Sequence, residues 1–199
     1  MFEFTRIEKE PEKQMRLPRL ILEPEACGYH CVARTIDKIW FFDTPIRRDC
    51  IQDIIQSCAE LYSISLFNHV IMSNHIHLLT QVQKVENREP LTKRSLLRLA
   101  AILYSKNYVT QLKIEFKRAE QIDAQTGDRW HSQNILDRFE ARRGCLSIFM
   151  QAVKERIAKY VNREHHRKGT VWDGRYKNPI VEKSLESLLA VSALSLIHI

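Results

Sequence analysis

Two apolar segments separated by a short polar break limit the folds open to this chain more than any other feature. Residues 63–72 and 75–82 are rich in β-branched side chains, and Ser73 and Asn74 stand between them. Two such segments joined by two polar residues predict a β-hairpin. The chain is therefore expected to contain antiparallel sheet.

A strand and a helix are predicted before this hairpin. Residues 29–36 form a short segment with β-branched side chains, which is typical of a strand. In residues 45–61 the apolar side chains recur every three or four positions, as on the buried face of an amphipathic helix. Asp43 or Thr44 would cap that helix. The order strand, helix, strand, strand predicts an α+β fold, an antiparallel sheet with helices on one face.

Residues 83–144 are predicted to be a mostly helical insertion. One helix is expected from about residue 95 to residue 121, although its apolar stripes drift around the helix. Residues 125–144 are charged and poorly patterned, so we expect much of this stretch to be mobile.

The two ends of the chain have different patterns. Residues 1–15 are polar and predict a flexible lead-in. Near the other end, an amphipathic helix is predicted over residues 146–162. A basic hairpin turning at Asp173 and Gly174 follows it, and a last helix would start near Ser184.

Composition excludes several classes of protein. The 199 residues are enough for one substantial core, and 44% hydrophobic with 28% charged residues excludes collagen-like and wholly disordered chains. No run of 18 apolar residues is present, so no membrane-spanning helix is expected. The first residues lack the apolar stretch of a signal peptide. The five cysteines are an odd, loosely spaced set, which favours a reduced, cytoplasmic protein.

His75 and His77 are the sharpest chemical feature. On a strand these two residues share a face and lie roughly 6.6 Å apart along the chain. Two imidazoles at that spacing can converge on one metal ion, and the remaining ligands must then come from elsewhere in the fold. The alternative is a pair of partly exposed polar residues on the open face of a sheet. His30 would lie near them if its strand is a neighbour.

A local excess of positive charge is the second feature. The chain has a net charge of +7, and residues 145–183 hold nine basic and four acidic residues, a net of +5. This asymmetry favours contact with phosphates over a merely solvated helix face. Two aromatic residues within it could stack on unpaired bases, although core packing is the alternative for them. The predicted DNA-binding residues are Lys154, Arg156, Lys159, Arg163, Arg167, Lys168, Trp172, Arg175, Tyr176 and Lys177.

Three motifs in this order resemble a known family. They are Tyr-His at residues 29–30, Val-Ile-Met-Ser-Asn-His-Ile-His-Leu-Leu at 70–79, and Gly-Thr-Val-Trp-Asp-Gly-Arg-Tyr-Lys at 169–177. Together they resemble the REP-associated tyrosine transposases, which belong to the single-tyrosine branch of the HUH (His-hydrophobic-His) transposases. The resemblance covers most of residues 16–193 as a single domain, with 83–144 as a variable insertion.

The resemblance implies a fold, a cofactor and a reaction. It implies a ferredoxin-like sheet that holds Mg²⁺ or Mn²⁺ on His75 and His77, and single-stranded or hairpin DNA as the partner. In that family the metal polarises a phosphate of the DNA, and a tyrosine on a late helix attacks it to form a 5′-phosphotyrosine link during DNA transposition. A cytoplasmic protein associated with the bacterial nucleoid is implied as well. Whether a homodimer forms is left open.

The end of the chain departs from the family pattern. Relatives continue the last helix with Ala-Tyr-Ile-x-x-Asn-Pro-Val, in which the tyrosine is the nucleophile and the asparagine helps to hold the metal. Here Leu194 stands in place of the tyrosine and His198 in place of the asparagine. Residues 194–199 resemble translated adapter DNA, so a non-native tail and a truncated reading frame are expected. Tyr160 is a weak backup nucleophile.

Two other functions remain open from the sequence alone. One is a non-catalytic, domesticated relative that recognises repeated DNA palindromes. The other is an RNA-binding module, which is the weaker alternative because the predicted sheet lacks paired aromatic residues for stacking on RNA bases.

Overall fold

Four strands form one antiparallel sheet in a computed structural model that describes residues 27–182 and Ala193. The strands are β1 (Cys27–Arg34), β2 (Ile64–Met72), β3 (His75–Val82) and β4 (Ile180–Glu182), and their order across the sheet is β2-β3-β1-β4. The helices are α1 (Pro45–Tyr62), α2 (Lys93–Leu103), α3 (Lys106–Thr126), α4 (Trp130–Glu140) and α5 (Leu146–Glu164). Without α2–α4, the chain order β-α-β-β-α-β and this strand order are the ferredoxin-like arrangement. The predicted fold class is therefore confirmed.

One face of the sheet packs against the helices. Cys31 and Ala33 of β1, and Ile76 and Leu78 of β3, are at most 2% exposed and belong to the main apolar core. The core also takes in the inward faces of α1 and α5. Strand residues alternate between faces, so the residues between these four point to the opposite side of the sheet. Among the described residues, no helix combines the length and apolar character needed to cross a bilayer.

The predicted helix and hairpin before the insertion are confirmed. Thr44 is the N-cap of α1, and its hydroxyl oxygen accepts a hydrogen bond from the backbone N–H of Arg47 at 3.3 Å. Pro45 occupies the first helical position, where its missing N–H costs nothing. Ser73 and Asn74 form the two-residue turn between β2 and β3.

The single helix predicted over residues 95–121 is wrong, because the chain breaks into α2 and α3. Tyr104 is extended, with φ −128° and ψ 165°, and ends α2. The hydroxyl oxygen of Ser105 then accepts a hydrogen bond from the backbone N–H of Tyr108, which caps a new helix. The drift of the apolar stripes along the sequence is the trace of this change in helix direction.

Residues 125–144, expected to be largely mobile, contain the capped helix α4. Asp123 of α3 supplies the cap, because its carboxylate accepts hydrogen bonds from the backbone N–H groups of His131 and Ser132, both at 2.9 Å. The hydroxyl of Ser132 donates a third at 2.5 Å. A carboxylate at the positive end of a helix dipole is a favourable arrangement. The cap comes from a different helix, which is why local sequence pattern missed it.

Replacing Asp123 with asparagine is expected to lower the free energy of unfolding at neutral pH. Burial alone raises the pKa of Asp123, but the hydrogen bonds from Ser132 and His131 outweigh it and hold the pKa well below its ordinary value. The charged cap therefore stabilises the protein above the unfolded-state pKa of about 3.9, and this contribution is lost as the pH falls towards the folded-state pKa. Urea unfolding between neutral pH and about pH 3 should show the variant and wild type converging at the acid end. Asp137→Asn, on the exposed side of α4, is the control, and an equal loss in both variants would contradict the cap.

Both ends of the insertion are tied to one corner of the fold, where α1 ends and β2 begins. The backbone N–H of Gln83 donates to the carbonyl of Ser63 at 3.3 Å, and that of Gly144 donates to the carbonyl of Tyr62 at 2.8 Å. Arg88 links the two ends directly, because its guanidinium donates to the carbonyls of Gln83 and Arg143. The chain therefore leaves and re-enters the βαββαβ frame at nearly the same place.

The segment after α5 runs along the outer edge of β1. Thr35 pairs with Trp172 and Val32 pairs with Lys177, and β4 continues the same edge. The turn at Asp173 and Gly174 lies between these two bridges. The last helix predicted near residue 184 lies outside the described residues.

Candidate metal and nucleic-acid site

The face of the sheet away from the helices carries three histidines. In the β1–β3 register, Val32 lies opposite His77 and Arg34 lies opposite His75. Opposed residues share a face, so His30, Arg34, His75 and His77 project to the same side. Lys177, which pairs with Val32, projects to this side as well. We call these five residues, His30, Arg34, His75, His77 and Lys177, the histidine face.

The imidazoles of His30 and His75 both contact that of His77. The Nε2 atom of His30 lies 2.9 Å from Nδ1 of His77, and the two rings are stacked with centroids 5.1 Å apart. The ring of His75 meets that of His77 edge-on, with centroids 4.9 Å apart. Burial lowers the pKa of His30, so its neutral form is favoured. A neutral imidazole can share one proton with His77 in a hydrogen bond, which fixes the orientation of that ring.

Asn74 fixes the second candidate ligand. Its side-chain N–H₂ donates to the carbonyl of Lys38 at 3.1 Å, so its Oδ1 faces His75 Nδ1 at 2.6 Å. An amide oxygen only accepts, which places a proton on Nδ1 of His75 and the ring's lone pair on Nε2. Both histidines thus have the outer-shell hydrogen bonds typical of metal ligands. The residues present therefore fit a divalent ion.

A second group of side chains that could bind a metal ion lies in the helical part of the described chain. Ligand atoms of Asp123, Asp128 and His131 lie within 4.8 Å of one another. The carboxylate of Asp123 already accepts the hydrogen bonds that cap α4, and the His131 ring nitrogen lies 3.0 Å from it. Helix capping accounts for this cluster without an ion.

The structure separates the predicted basic residues into three groups. Lys177 lies on the histidine face, whereas Arg156, Lys159 and Arg163 line cavities on the helical side. Four more of the predicted residues lie at or near the turn after α5. Arg167 covers the ring of Phe41 at 4.6 Å and is partly buried, Lys154 is partly buried, and Lys168 and Arg175 are exposed. Sequence reasoning missed Arg34, whose only signal is its alternation with His30 along β1.

The two aromatic residues of the basic tract are in the core. Trp172 and Tyr176 are each 8% exposed. The indole N–H of Trp172 donates to the carbonyl of Lys154 at 2.8 Å, and its ring lies 5.9 Å from that of Phe42. The ammonium of Lys154 returns to the carbonyl of Gly174 at 2.6 Å. These contacts hold the turn against α5, so stacking on bases would require this segment to open.

Of the two candidate nucleophile positions only Tyr160 is among the described residues, and it does not lie on the histidine face. Tyr160 is on α5 and packs against Cys50 of α1, in the helical layer on the other side of the sheet. Burial and the hydrogen bond with Cys50 raise the pKa of Tyr160 to about 12, which disfavours its phenolate form. Leu194 and His198 lie outside the described residues, as do residues 1–15.

Comparison with known proteins supports the family resemblance. The family model for IS200-like transposases matches residues 24–92, which include β1, α1, β2 and β3. No curated protein matches the chain. One similar solved structure is a protein of Deinococcus radiodurans R1 assigned as a transposase, with 13% identity, a TM-score of 0.41, and coverage of 90% of this chain and 95% of that one.

Another similar structure is a REP-associated tyrosine transposase bound to a REP hairpin, with 7% identity, a TM-score of 0.47, and coverage of 89% of this chain and 68% of that one. These two likenesses are too distant to carry an argument about function. The family match, in contrast, falls on the strands that bring His30, His75 and His77 together. The match over residues 24–92 supports the resemblance drawn from the motifs: this part of the chain is similar to the IS200-like transposases.

Proposed function

We propose that this protein binds single-stranded or hairpin DNA across its histidine face and is the DNA-handling part of a single-tyrosine transposase. The observation that carries the proposal is the contact of His30 with His77 beside His75, on the sheet face opposite the one that packs against α1 and α5. In this proposal, His75 and His77 hold a divalent ion, Mg²⁺ or Mn²⁺. Such an ion supplies Lewis-acid polarisation of a phosphodiester.

The cations of the histidine face give it a means of holding the DNA backbone. Arg34, two residues after Val32 in β1, and Lys177, which pairs with Val32, are both exposed on the same side of the sheet as the histidines. A guanidinium can bind two phosphate oxygens at once, and an ammonium acts as a point charge. Together they would orient a phosphate group towards His75 and His77.

In the complete reaction, the proposed nucleophile is a tyrosine at the position of Leu194. Its oxygen would form a bond to phosphorus while the bond to the 3′ oxygen breaks, and the 3′ oxygen would leave as a hydroxyl with the proton that the tyrosine gives up. The phosphotyrosine link conserves the energy of the phosphodiester, so rejoining needs no nucleotide cofactor. Leucine cannot perform this step, so the chain with Leu194 is expected to bind DNA without cutting it.

Binding of a labelled DNA hairpin with a single-stranded flank is expected to weaken steeply as salt rises. Each phosphate contact to a single strand contributes a slope of about −0.7 in a plot of log K against log salt. Arg34→Ala should therefore make the slope shallower by about 0.7, whereas Lys117→Ala, exposed on α3, should leave it unchanged. Fluorescence anisotropy measures the slope.

Cleavage of the same hairpin is measured separately, by a gel assay with Mn²⁺. Cleavage by the 199-residue chain would contradict the proposal that Leu194 replaces the nucleophile.

A non-catalytic DNA-binding protein is the second candidate. The observation that favours it is the position of Arg156, Lys159 and Arg163, which are on the side of the sheet away from the histidines. If these cations carried all of the affinity, hairpin binding would survive His75→Ala with His77→Ala and would not depend on Mn²⁺. Loss of binding in that double variant would favour the transposase site.

A further inference from the structure

A groove on the helical side of the sheet carries cations and aromatic rings that the histidine face does not use. It consists of two adjoining cavities of about 430 and 420 Å³, between the α2–α3 break and α5. Tyr104, Ser105, Arg156 and Lys159 line both of them. We call this feature the tyrosine groove.

Three side chains in the groove form a stack. The rings of Tyr104 and Tyr108 are 4.5 Å apart and inclined by 17°, and the guanidinium carbon of Arg156 lies 4.6 Å from the centre of the Tyr104 ring. Arg156 and Tyr108 must occupy opposite faces of Tyr104, because neither distance leaves room for both on one face. Tyr108 is at the end of the stack and is 41% exposed. It therefore offers a flat aromatic surface to a further ring.

The charges around the stack are mostly positive. Arg156 is partly buried and donates to the carbonyl of Ala152, but it forms no ion pair with a carboxylate of the described chain. The other charged lining residues are Arg142, Lys159, Arg163, Asp53 and Glu155. Glu155 is occupied by Lys159, with their charged atoms 2.5 Å apart. Four cations against two acids leave a net positive groove, in which no carboxylate of residues 27–182 pairs with Arg156.

We propose that the tyrosine groove binds a single-stranded segment of DNA, with one base stacked on Tyr108 and neighbouring phosphates held by Arg156, Arg142 and Arg163. Alternation of aromatic surfaces and cations is how proteins hold single strands without reading their sequence. The identity of the strand as DNA rests on the proposed function, whereas the groove itself does not depend on a metal. The α2–α3 break supplies both tyrosines, so the insertion gains a role in holding DNA.

The test uses the full chain and a fluorescein-labelled oligothymidine of about 20 nucleotides, longer than the roughly 4–16 nucleotides that a single-strand binding fold covers. In the absence of metal, Tyr108→Leu should weaken binding by about 5- to 150-fold, the loss expected for one stacked base. Tyr108→Phe keeps the ring and should retain wild-type affinity. Trp130→Ala is the matched control, because Trp130 is 65% exposed on α4 outside the groove.

The outcomes separate this proposal from the proposed function. Equal affinities for Tyr108→Leu and Tyr108→Phe would overturn stacking on Tyr108, and an equal loss in Trp130→Ala would overturn the groove as the site. Arg156→Gln should also weaken binding, and wild-type affinity in that variant would overturn its contact with phosphate. Mn²⁺ titration of the Tyr108 variants should match wild type. The proposal of a metal site on the histidine face would instead be contradicted if wild type did not bind Mn²⁺. It would also be contradicted if the double variant His75→Ala with His77→Ala bound Mn²⁺ as tightly as wild type.

Discussion

Mn²⁺ binding is expected to disappear when His75 and His77 are both replaced by alanine, while the fold is retained. This is the largest functional effect that the structure leads us to expect, because these two side chains are the proposed protein ligands on the histidine face. Both are partly exposed, so truncating them removes little from the core. Isothermal titration calorimetry should detect no binding in the double variant, while far-ultraviolet circular dichroism should match wild type.

His30 should give an intermediate result in the same titration. His30→Ala removes the partner that orients His77, and loss of such an outer-shell hydrogen bond typically weakens metal binding by about 10- to 100-fold. His30→Gln should recover part of the affinity, because an amide can still hydrogen-bond to Nδ1 of His77. The ring nitrogen shifts of His77 measured by NMR should change in His30→Ala, which reports the tautomer directly.

The matched control for this series is His69→Ala. His69 is a histidine of the same sheet, but it lies opposite Leu78 and therefore on the face towards the helices. Its substitution should leave Mn²⁺ affinity unchanged. Wild-type affinity in the His75/His77 double variant, or an equal loss in His69→Ala, would show that the ion binds elsewhere.

The second large effect concerns stability. Trp172→Ala should lower the free energy of unfolding by about 3–5 kcal/mol, the usual cost of removing a large buried aromatic ring. Trp172→Phe should lose about 1 kcal/mol for the hydrogen bond to the carbonyl of Lys154, together with a small packing term. Urea denaturation followed by circular dichroism measures both values.

The same variants separate the two roles that the sequence allows for Trp172. If the indole is a core residue, Trp172→Ala lowers stability and leaves the affinity of the folded protein for oligothymidine almost unchanged. If it stacks on bases, affinity falls in Trp172→Ala with little loss of stability, and Trp172→Phe keeps most of the affinity. Trp130→Ala should change the free energy of unfolding much less than Trp172→Ala, because Trp130 is 65% exposed, although its ring also meets that of His131 edge-on.

Periodicity was sufficient to predict the frame of the fold. The apolar repeat in α1 and the Ser73-Asn74 break are local signals, and both elements form where they were predicted. The break between α2 and α3 was not predictable in this way, because Ser105 is a cap only if the chain turns there. Local patterns report which face is apolar and are less informative about where one helix gives way to another.

The candidate site was only half predictable for a similar reason. His75 and His77 share a strand, so their spacing alone places them on one face. His30 and Arg34 join them through the pairing of β1 with β3, and His30 is 47 residues away from His77. A sequence does not state strand register across that distance. The split of the basic tract was equally hidden, since it depends on how α5 and β4 pack around the sheet.

The hydrogen bonds that hold Gln83 and Gly144 at one corner have a consequence for how a fold of this kind can change in sequence length. The insertion begins and ends at the carbonyls of Ser63 and Tyr62. Lengthening or shortening it therefore changes a closed loop, and the pairing of β3 and the position of α5 stay the same. Loop closure costs rise only slowly with length, so the frame tolerates such changes at small energetic cost. One constraint remains, because the apolar surface of α1 must stay buried. In this protein α2 packs against α1, and its Leu96 and Leu99 are buried. New nucleic-acid-binding surfaces can therefore be inserted between residues 83 and 144 without changing the strand register that brings the three histidines together.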